Sequence, residues 1–421
     1  MKVMTKFAAA VAAFLAVQLA VAAEYRPAQE AFRSAGSGSE SGTHENGVLL
    51  TNHSFDTEAW GGAILLAQLE APTELHVFKP GEELPTPPPS NAGTTKWHPG
   101  HYVHVPKGDL SPYETEVGGY PVIRGYQKRY YWNDLEPARG KYDFSEIVED
   151  LAYVEARDKY LVIQIQFKSF NENQKLVPSY LLTPEFNGGV YQSAHRGGWN
   201  LRLWNEKVLR RFEALLDALG ERFDSYEALA GINLEESALE TPKDGSPLLA
   251  NWSTLKGSHA EHLAESGVTL ERAFPSTPTL FYFNGGPADL SHFEDAALTA
   301  GIGMGGPDTY IGAFEDNLWL RHSYGLARRL AGTVPVGFAV QWHNYTRTGA
   351  SGKWTHPGGA VPVGQIYDFS RRDLGTNFVF WVKRKPYWDN VKALLRELGR
   401  SGDPAGGLDA RCPTMLRPCK T

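Results

Sequence analysis

Cysteine is nearly absent from this chain, which has two cysteines among 421 residues. Both Cys412 and Cys419 lie close to the C-terminal end, so a catalytic thiol in the body of the chain is excluded. In an exported chain, cysteines at this spacing predict a disulfide that closes a small C-terminal loop. Two free thiols and a metal-binding pair are the alternatives to that disulfide.

Positive charge is also scarce, since 41 Lys and Arg residues stand against 48 Asp and Glu residues, for a net charge of −7. No basic stripe is present to displace counterions from phosphates, which argues against a nucleic-acid partner. No glycine-rich loop follows a predicted strand, and this disfavours a dinucleotide-binding fold. The sequence implies no cofactor.

Long hydrophobic runs are absent apart from one at the N-terminus. Lys2 and Lys6 precede the apolar run Ala8–Ala20, which is too short to span a bilayer, and Ala20–Ala23 offers small residues for cleavage. We therefore interpret residues 1–23 as a signal peptide and expect a secreted or periplasmic protein that leaves the membrane after cleavage. A retained anchor is the alternative.

The remainder of the chain divides by composition. Residues 24–95 show little regular spacing of apolar residues and contain a proline-rich stretch at Leu84–Gly93. We therefore interpret them as an N-terminal linker or extension. Residues 96–400 carry the regular patterns and predict one large core, followed by a C-terminal tail at 401–421.

Short apolar runs alternate with helical patterns along most of residues 96–400. Runs of this kind are typical of strands buried on both faces, and eight of them predict a single (β/α)₈ TIM barrel in the α/β class. The predicted strands are His101–Val105, Val122–Trp132, Leu161–Phe167, Leu229–Glu236, Leu280–Asn284, Gly301–Gly305, Val334–Trp342 and Phe378–Val382. The predicted helices are Phe144–Ala156, Val208–Leu219, Asn317–Ala331 and Tyr387–Leu398.

Polar and aromatic side chains collect where the predicted strands end. Functional residues of such barrels lie at these ends, where amides and carboxylates bind hydroxyl groups and aromatic rings stack on sugar faces. The residues expected to bind substrate are His101, Arg129, Tyr131, Trp132, Asn233, Asn284, Gln341, Trp342 and Trp381.

Two consecutive glutamates, Glu235 and Glu236, end the fourth predicted strand. Side chains alternate along a strand, so we expect one of the two to face the barrel mouth. Burial there raises the pKa of a carboxyl group, as a general acid near neutral pH requires. An ion pair that stabilises the rim of the barrel is the alternative interpretation.

Three histidines lie close together at His98, His101 and His104. A metal site is one interpretation of this cluster. In an extended segment, however, His98 and His101 face different directions, which favours hydrogen bonding to a ligand or to neighbouring loops.

The stretch Tyr131–Ser145, with its WxxLEP and YDFS motifs, resembles the strand-two segment of the large clan of retaining (β/α)₈ glycoside hydrolases, such as β-galactosidase-type and cellulase-like enzymes. Residues Asn200–Leu239 resemble the part of those enzymes that contains the acid/base glutamate. The resemblance implies glycosidase activity on a poly- or oligosaccharide. It places the catalytic acid/base at Glu236, with Glu235 as the second choice.

The chain departs from that clan at the seventh strand, where the clan has its nucleophilic glutamate. Gln341 occupies the corresponding position, and an amide is not a competent nucleophile. Asp308 is the leading candidate for the second catalytic carboxylate, with Asp368 and Glu315 behind it. A relocated carboxylate would suit an inverting mechanism, in which a base activates water.

Two other functions remain open. A barrel that has lost its nucleophile could bind glycan, or take part in polysaccharide assembly, without turnover. A polysaccharide lyase would use His343 or Tyr345 as its base. A basic cleft favours the lyase, and a pair of carboxyl groups across the mouth favours the hydrolase.

Overall fold

A computed structural model describes residues 93–284, 287–312, 318–349 and 354–420. Eight parallel strands form a closed barrel, in which each strand pairs with its neighbours in chain order and the last pairs with the first. The expected signal peptide, nearly all of the N-terminal extension, and Glu315 lie outside the described residues. The strands are β1 (Gly100–Val105), β2 (Ile123–Tyr131), β3 (Tyr160–Gln166), β4 (Leu229–Glu236), β5 (Thr279–Tyr282), β6 (Gly303–Gly306), β7 (Val336–Val340) and β8 (Phe378–Val382).

A helix follows each strand. The predicted (β/α)₈ barrel is confirmed, and β4 and β8 begin and end at the predicted residues, whereas β7 is shorter than predicted. The helices that pack around the barrel are α1 (Glu114–Val117), α2 (Ser145–Glu155), α3 (Glu206–Phe223), α4 (Trp252–Ala273), α5 (Pro287–Ala300), α6 (Leu318–Leu330), α7 (Val363–Asp368) and α8 (Trp388–Gly399), and a further single turn, Trp132–Leu135, directly follows β2. No helix in these parts of the chain has the length and apolar character to cross a membrane.

Helix α3 shows why the strongest sequence patterns predict the structure. Asn205 caps it, because its side-chain oxygen accepts hydrogen bonds from the backbone amides of Lys207 and Val208. Its apolar stripe, which includes Leu209 and Phe212, is fully buried against the barrel. The Asn205 cap and the buried apolar stripe therefore both indicate the helix that the structure shows.

Helix α4 carries a weaker pattern and was not predicted. Its buried face contains small residues such as Ala260, Ala264 and Gly267, which blur the apolar period. Gly267 is required there, because a Cβ atom at this position would lie 1.9 Å from the Phe281 ring on β5. The buried face of α4 therefore carries small residues because the helix packs closely against β5, and these residues give only a weak hydrophobic pattern.

A polar layer crosses the interior of the barrel above an aromatic core that includes Tyr102 and Phe380. Gln127 donates hydrogen bonds to Asn233 Oδ1 at 2.9 Å and to the Tyr282 hydroxyl at 2.7 Å. His104 Nδ1 lies 2.7 Å from Gln127 Oε1 and donates to it. The barrel is therefore filled, and ligands have access only beyond this layer.

The C-terminal tail packs against the opposite end of the barrel. Cys412 and Cys419 form the predicted disulfide, which is confirmed. Cys419–Lys420 pairs in parallel with Thr95–Lys96, just ahead of β1, and Trp97 Nε1 donates a hydrogen bond to the Ala410 carbonyl at 2.9 Å. The start and the end of the described chain are thus joined at the N-terminal face of the barrel.

Candidate active site

A cavity of about 710 Å³ opens at the C-terminal ends of the strands, where residues ending β4, β5, β6 and β7 meet. This is the face at which (β/α)₈ barrels carry their active sites. The cavity is lined by seven of the residues predicted for the site: Arg129, Glu235, Glu236, Asn284, Asp308, Gln341 and Trp342.

Glu236 is held in the cavity by a cation and an amide. Lys168 Nζ donates to Glu236 Oε1 at 2.7 Å, and Asn284 Nδ2 donates to Glu236 Oε2 at 3.1 Å. Burial raises the pKa of Glu236, but the charge and hydrogen bond of Lys168, together with Asn284, outweigh burial and lower the pKa below its ordinary value. Glu236 is therefore an ionised carboxylate near neutral pH.

Glu235 is the more deeply buried of the two glutamates, with 3% of its surface exposed. Its Oε2 accepts hydrogen bonds from the backbone amides of Phe167 at 2.9 Å and Lys168 at 3.0 Å, whereas Oε1 has no partner among the described residues. Burial raises the pKa of Glu235 to about 7. The raised pKa expected for this pair thus occurs at Glu235 and not at Glu236.

Both glutamates line the cavity, although strict alternation would place only one of them there. The register between β4 and β5 shifts between Asn233 and Glu236, so the regular alternation of the strand is broken at this point. The expectation that only one carboxyl group faces the mouth is therefore corrected.

The raised pKa of Glu235 predicts a specific dependence of stability on pH. Between about pH 4.5, its ordinary value, and pH 7, the folded protein holds this proton and the unfolded chain does not. The free energy of unfolding therefore decreases as the pH rises through this interval, by about 3 kcal/mol for this group. Glu235→Gln should remove that decrease, measured by urea unfolding from pH 4.5 to 8.

The exposed Glu185→Gln variant is the control for general effects of pH and of charge removal. It should keep the dependence seen in the wild-type protein. If Glu235→Gln and wild type show parallel stability curves, Glu235 does not hold a proton in the folded state.

Asp308 follows β6, two strands round the barrel from Glu236. His343 Nε2 lies 2.7 Å from Asp308 Oδ1 and donates a hydrogen bond to it. The His343 ring stacks on Tyr310, with ring centroids 5.4 Å apart and an interplanar angle of 23°. His343 thus orients the Asp308 carboxylate, and stacking on Tyr310 holds the His343 ring in place.

The ends of β6 and β7 are held together by one side chain. Asn344 Oδ1 accepts hydrogen bonds from the backbone amides of Gln341 at 2.5 Å and Thr309 at 3.3 Å. Gln341, at the position expected for a nucleophile, lines the cavity with its amide side chain. These contacts join the backbone next to Asp308 to the backbone of Gln341, and both residues line the cavity.

No family model matches the chain, and no curated protein matches it. Among solved structures, the catalytic domain of a β-amylase from Paenibacillus polymyxa matches with a TM-score of 0.50 and 10% identity, covering 72% of this chain and 99% of that one. A β-galactosidase from the psychrophilic Marinomonas ef1 matches with a TM-score of 0.48 and 10% identity, over 74% and 61% of the two chains. The endo-glycoceramidase II of Rhodococcus sp. matches with a TM-score of 0.44 and 10% identity, over 72% and 80%. The likeness to the β-amylase domain confirms the fold implied by the resemblance to glycoside hydrolases.

Two residues expected to bind substrate face away from the cavity. His101 and Trp381 are fully buried on the outer side of the barrel, where Trp381 Nε1 donates to His101 Nδ1 at 3.0 Å. The other nitrogen of His101 then donates to the Gly406 carbonyl at 3.3 Å. Alternation along β1 and β8 directs both side chains toward α7 and the C-terminal segment, so the expectation that they bind substrate is corrected.

Three other expected binding residues also lie outside the cavity lining. Trp132 is fully buried and packs on Phe212 of α3, with ring centroids 5.2 Å apart, so its expected contact with substrate is corrected. Asn233 belongs to the polar layer below the cavity, where Gln127 occupies its oxygen. Tyr131 lies at the rim, where the Lys107 ammonium sits 4.5 Å from its ring centroid.

The WxxLEP motif has a structural role. Glu136 is fully buried and accepts hydrogen bonds from Trp132 Nε1 at 2.9 Å, from the Gly140 amide at 2.8 Å and from Arg211 on α3. The motif therefore ties the end of β2 to α3, and the resemblance that it carries concerns the scaffold rather than the chemistry.

The three neighbouring histidines are separated in the fold. His98 stacks on Tyr160 at 3.8 Å between ring centroids, while His101 and His104 face opposite sides of the barrel wall. In the described parts of the chain, no group of three or more His, Cys, Asp or Glu residues is placed to hold a metal ion.

Tyr345, a candidate base for a lyase, is buried and donates to the Val382 carbonyl at 3.0 Å, so it is not available for that role.

Several cavity residues were not among the predicted site residues. Lys168 and Phe170 follow β3, and His195 and Arg196 lie in the turn between the paired strands Val190–Gln192 and Trp199–Leu201. This hairpin belongs to the long connection between β3 and α3. Nothing in the sequence indicates that the connection folds back over the barrel mouth.

Proposed function

We propose that the protein hydrolyses glycosidic bonds of a poly- or oligosaccharide in this cavity, as an exported enzyme. The observation that carries the proposal is the presence of two carboxyl groups in one open cavity, that of Glu236 at the end of β4 and that of Asp308 just after β6. Glycosidases use such a pair, with one carboxyl group on each side of the scissile bond. The fold, which the chain shares with the β-amylase domain, supports the same activity.

Glu236 acts in this proposal as the acid that protonates the leaving oxygen. Asp308 acts from the other side, as a base toward water or as a nucleophile, and His343 orients its carboxylate. Asn284 holds one oxygen of Glu236 and fixes the direction of the other. Phe170 and Trp342 are exposed aromatic rings in the cavity lining and supply surfaces for sugar rings to stack on.

The pH dependence of activity tests which glutamate is the acid. An acid must be protonated to act, and the pKa of Glu236 lies below its ordinary value. We therefore expect kcat/KM to be highest in acidic solution and to fall as the pH rises through the lowered pKa of Glu236, with little activity left at neutral pH. Removal of the cation in Lys168→Met should raise the pKa of Glu236 and move this fall to higher pH.

The measurement is the release of reducing ends from a panel of oligosaccharides between pH 3 and 8. A fall centred near pH 7 would instead assign the acid to Glu235, whose pKa is about 7. Unsaturated products, detected by their ultraviolet absorbance, would identify a lyase.

Asp308→Asn should lose activity at every pH in the same assay. The variant lacks the carboxylate that acts as base or nucleophile, and no change in the protonation of Glu236 can replace it.

A glycan-binding protein without turnover is the second candidate. Two points favour it. The resemblance to retaining glycoside hydrolases places the neutral amide of Gln341 at the position of their nucleophile, and the Lys168 ion pair keeps Glu236 ionised. Binding of an oligosaccharide without any released reducing ends, across the whole pH range, would support this function over hydrolysis.

A further inference from the structure

We infer that the glycan taken by this cavity is acidic, a polysaccharide whose sugars carry carboxylate groups, as uronic acids do. The inference rests on the proposed function in one respect, namely that the cavity accepts a glycan. It extends that function by naming the class of sugar.

Arginines without carboxylate partners carry the inference. Arg129, Arg196 and Arg347 all line the cavity. Arg129 donates to the neutral amide of Gln164 at 2.9 Å and interacts electrostatically with Glu235 and Glu236, but none of the three arginines makes a salt bridge to any described residue. A guanidinium group matches the planar fork of a carboxylate, so these side chains are suited to bind one.

The acidic side chains of the cavity offset only part of this positive charge. Glu236 is neutralised by Lys168 at 2.7 Å, whereas Asp308 is a carboxylate that accepts a hydrogen bond from His343 at 2.7 Å. Glu235 is buried without a cation in contact, and burial favours its uncharged form. Among the described residues, neither Asp308 nor Glu240 forms an ion pair with a lysine or an arginine. Three arginines therefore face two carboxylates that no lysine or arginine neutralises, and the cavity keeps an excess of positive charge.

The positive charges lie close to exposed aromatic rings on which a sugar could stack. Phe170 is 43% exposed, and Lys168 and Arg196 lie 4.9 Å and 5.6 Å from its ring centroid. On another side of the cavity, Trp342 is 51% exposed with Arg384 at 5.8 Å from its ring. A sugar stacked on either ring would bring a carboxylate substituent within reach of an arginine. A neutral sugar would cover these cations without pairing them, which costs free energy.

The test compares acidic polysaccharides with neutral forms of the same backbone. Polygalacturonate, alginate and hyaluronan are each used as prepared and after chemical reduction of their carboxyl groups. Binding to the full chain is measured by affinity electrophoresis and by calorimetry. We expect at least one acidic polymer to bind, and its carboxyl-reduced form to bind about tenfold more weakly or worse.

Variants connect the binding to the cavity. Arg196→Gln combined with Arg347→Gln should weaken binding of the acidic polymer by about tenfold or more. Arg400→Gln, an exposed arginine that pairs with Glu397 at the end of α8, is the matched control and should bind like the wild-type protein.

Several outcomes would overturn the inference. They are equal binding of reduced and acidic polymers, binding of the carboxyl-reduced polymers alone, and binding of no acidic polymer in the set. Release of reducing ends from a neutral glycan would retain the proposed hydrolysis and reject the acidic substrate. Tight binding of an acidic polymer without cleavage, or its cleavage to unsaturated products as by a lyase, would retain the acidic ligand and reject the hydrolysis.

Discussion

Glu236→Gln is expected to lower kcat/KM by about a thousandfold, since glutamine cannot supply the proton that the leaving oxygen requires. Glutamine has nearly the same shape and keeps an oxygen to which Lys168 can donate. The fold should therefore survive, and circular dichroism and thermal unfolding check this. Activity is measured as the release of reducing ends from the best substrate of the panel.

Glu235→Gln is the matched comparison, because the two glutamates are adjacent, line the same cavity and differ in their partners. We expect it to retain most of the wild-type activity at acidic pH, where the Glu235 carboxyl group is uncharged. Full activity of Glu236→Gln would remove Glu236 from the mechanism. Loss of activity in the Glu235 variant alone would transfer the acid role to Glu235.

Glu136→Ala is expected to destabilise the protein by about 3 to 5 kcal/mol, the range for breaking a buried ion pair. Glu136 has no exposed surface and serves three donors on two elements of the barrel wall. Its removal leaves the guanidinium of Arg211 without its carboxylate and the indole N–H of Trp132 without an acceptor. The measurement is the free energy of unfolding in urea.

An exposed pair provides the control for that variant. Glu185 lies 3.2 Å from Arg139, and about half of each side chain is exposed. Glu185→Ala should change the free energy of unfolding by less than about 1 kcal/mol. A similarly small effect of Glu136→Ala would show that the WxxLEP motif does not secure the barrel wall.

The fold could be predicted from the sequence because its strands are buried on both faces and appear as short apolar runs. Helices such as α3, with a cap and a continuous stripe, were predicted for the same reason. Helix α4 was missed because it packs closely through Gly267 and alanines, and small residues give little hydrophobic signal. The apolar sequence pattern therefore predicts a helix or strand that is stabilised by burying large hydrophobic side chains. It does not predict a helix whose small residues allow it to pack closely against the sheet.

The candidate site was predictable to the extent that strand ends define it. Glu236 is the last residue of β4 and Asp308 lies just after β6, and the structure places both in one cavity. Trp381 also lies near a strand end, but it occupies an outward position of β8 and is fully buried. The strand bounds alone do not say which face a residue occupies, particularly where the register shifts, as it does before Glu236.

Arg196 was missed for a different reason. It reaches the cavity through a hairpin inside the connection between β3 and α3, and the path of such a long connection depends on contacts distant in sequence. The same connection supplies Phe170, so much of the charge and aromatic surface discussed for substrate choice lies on loops rather than on the barrel. Loops vary more readily than the scaffold that supports them.

The pairing of Cys419–Lys420 with Thr95–Lys96 has a practical consequence for measurement. It fixes the end of the described chain to the N-terminal face of the barrel, whereas the cavity opens on the C-terminal face. A biotin or an affinity tag added after Thr421 would therefore anchor the protein to a sensor surface with its cavity turned toward solution. Long polysaccharides, which need open access, could then be titrated against the immobilised protein without obstruction by the support.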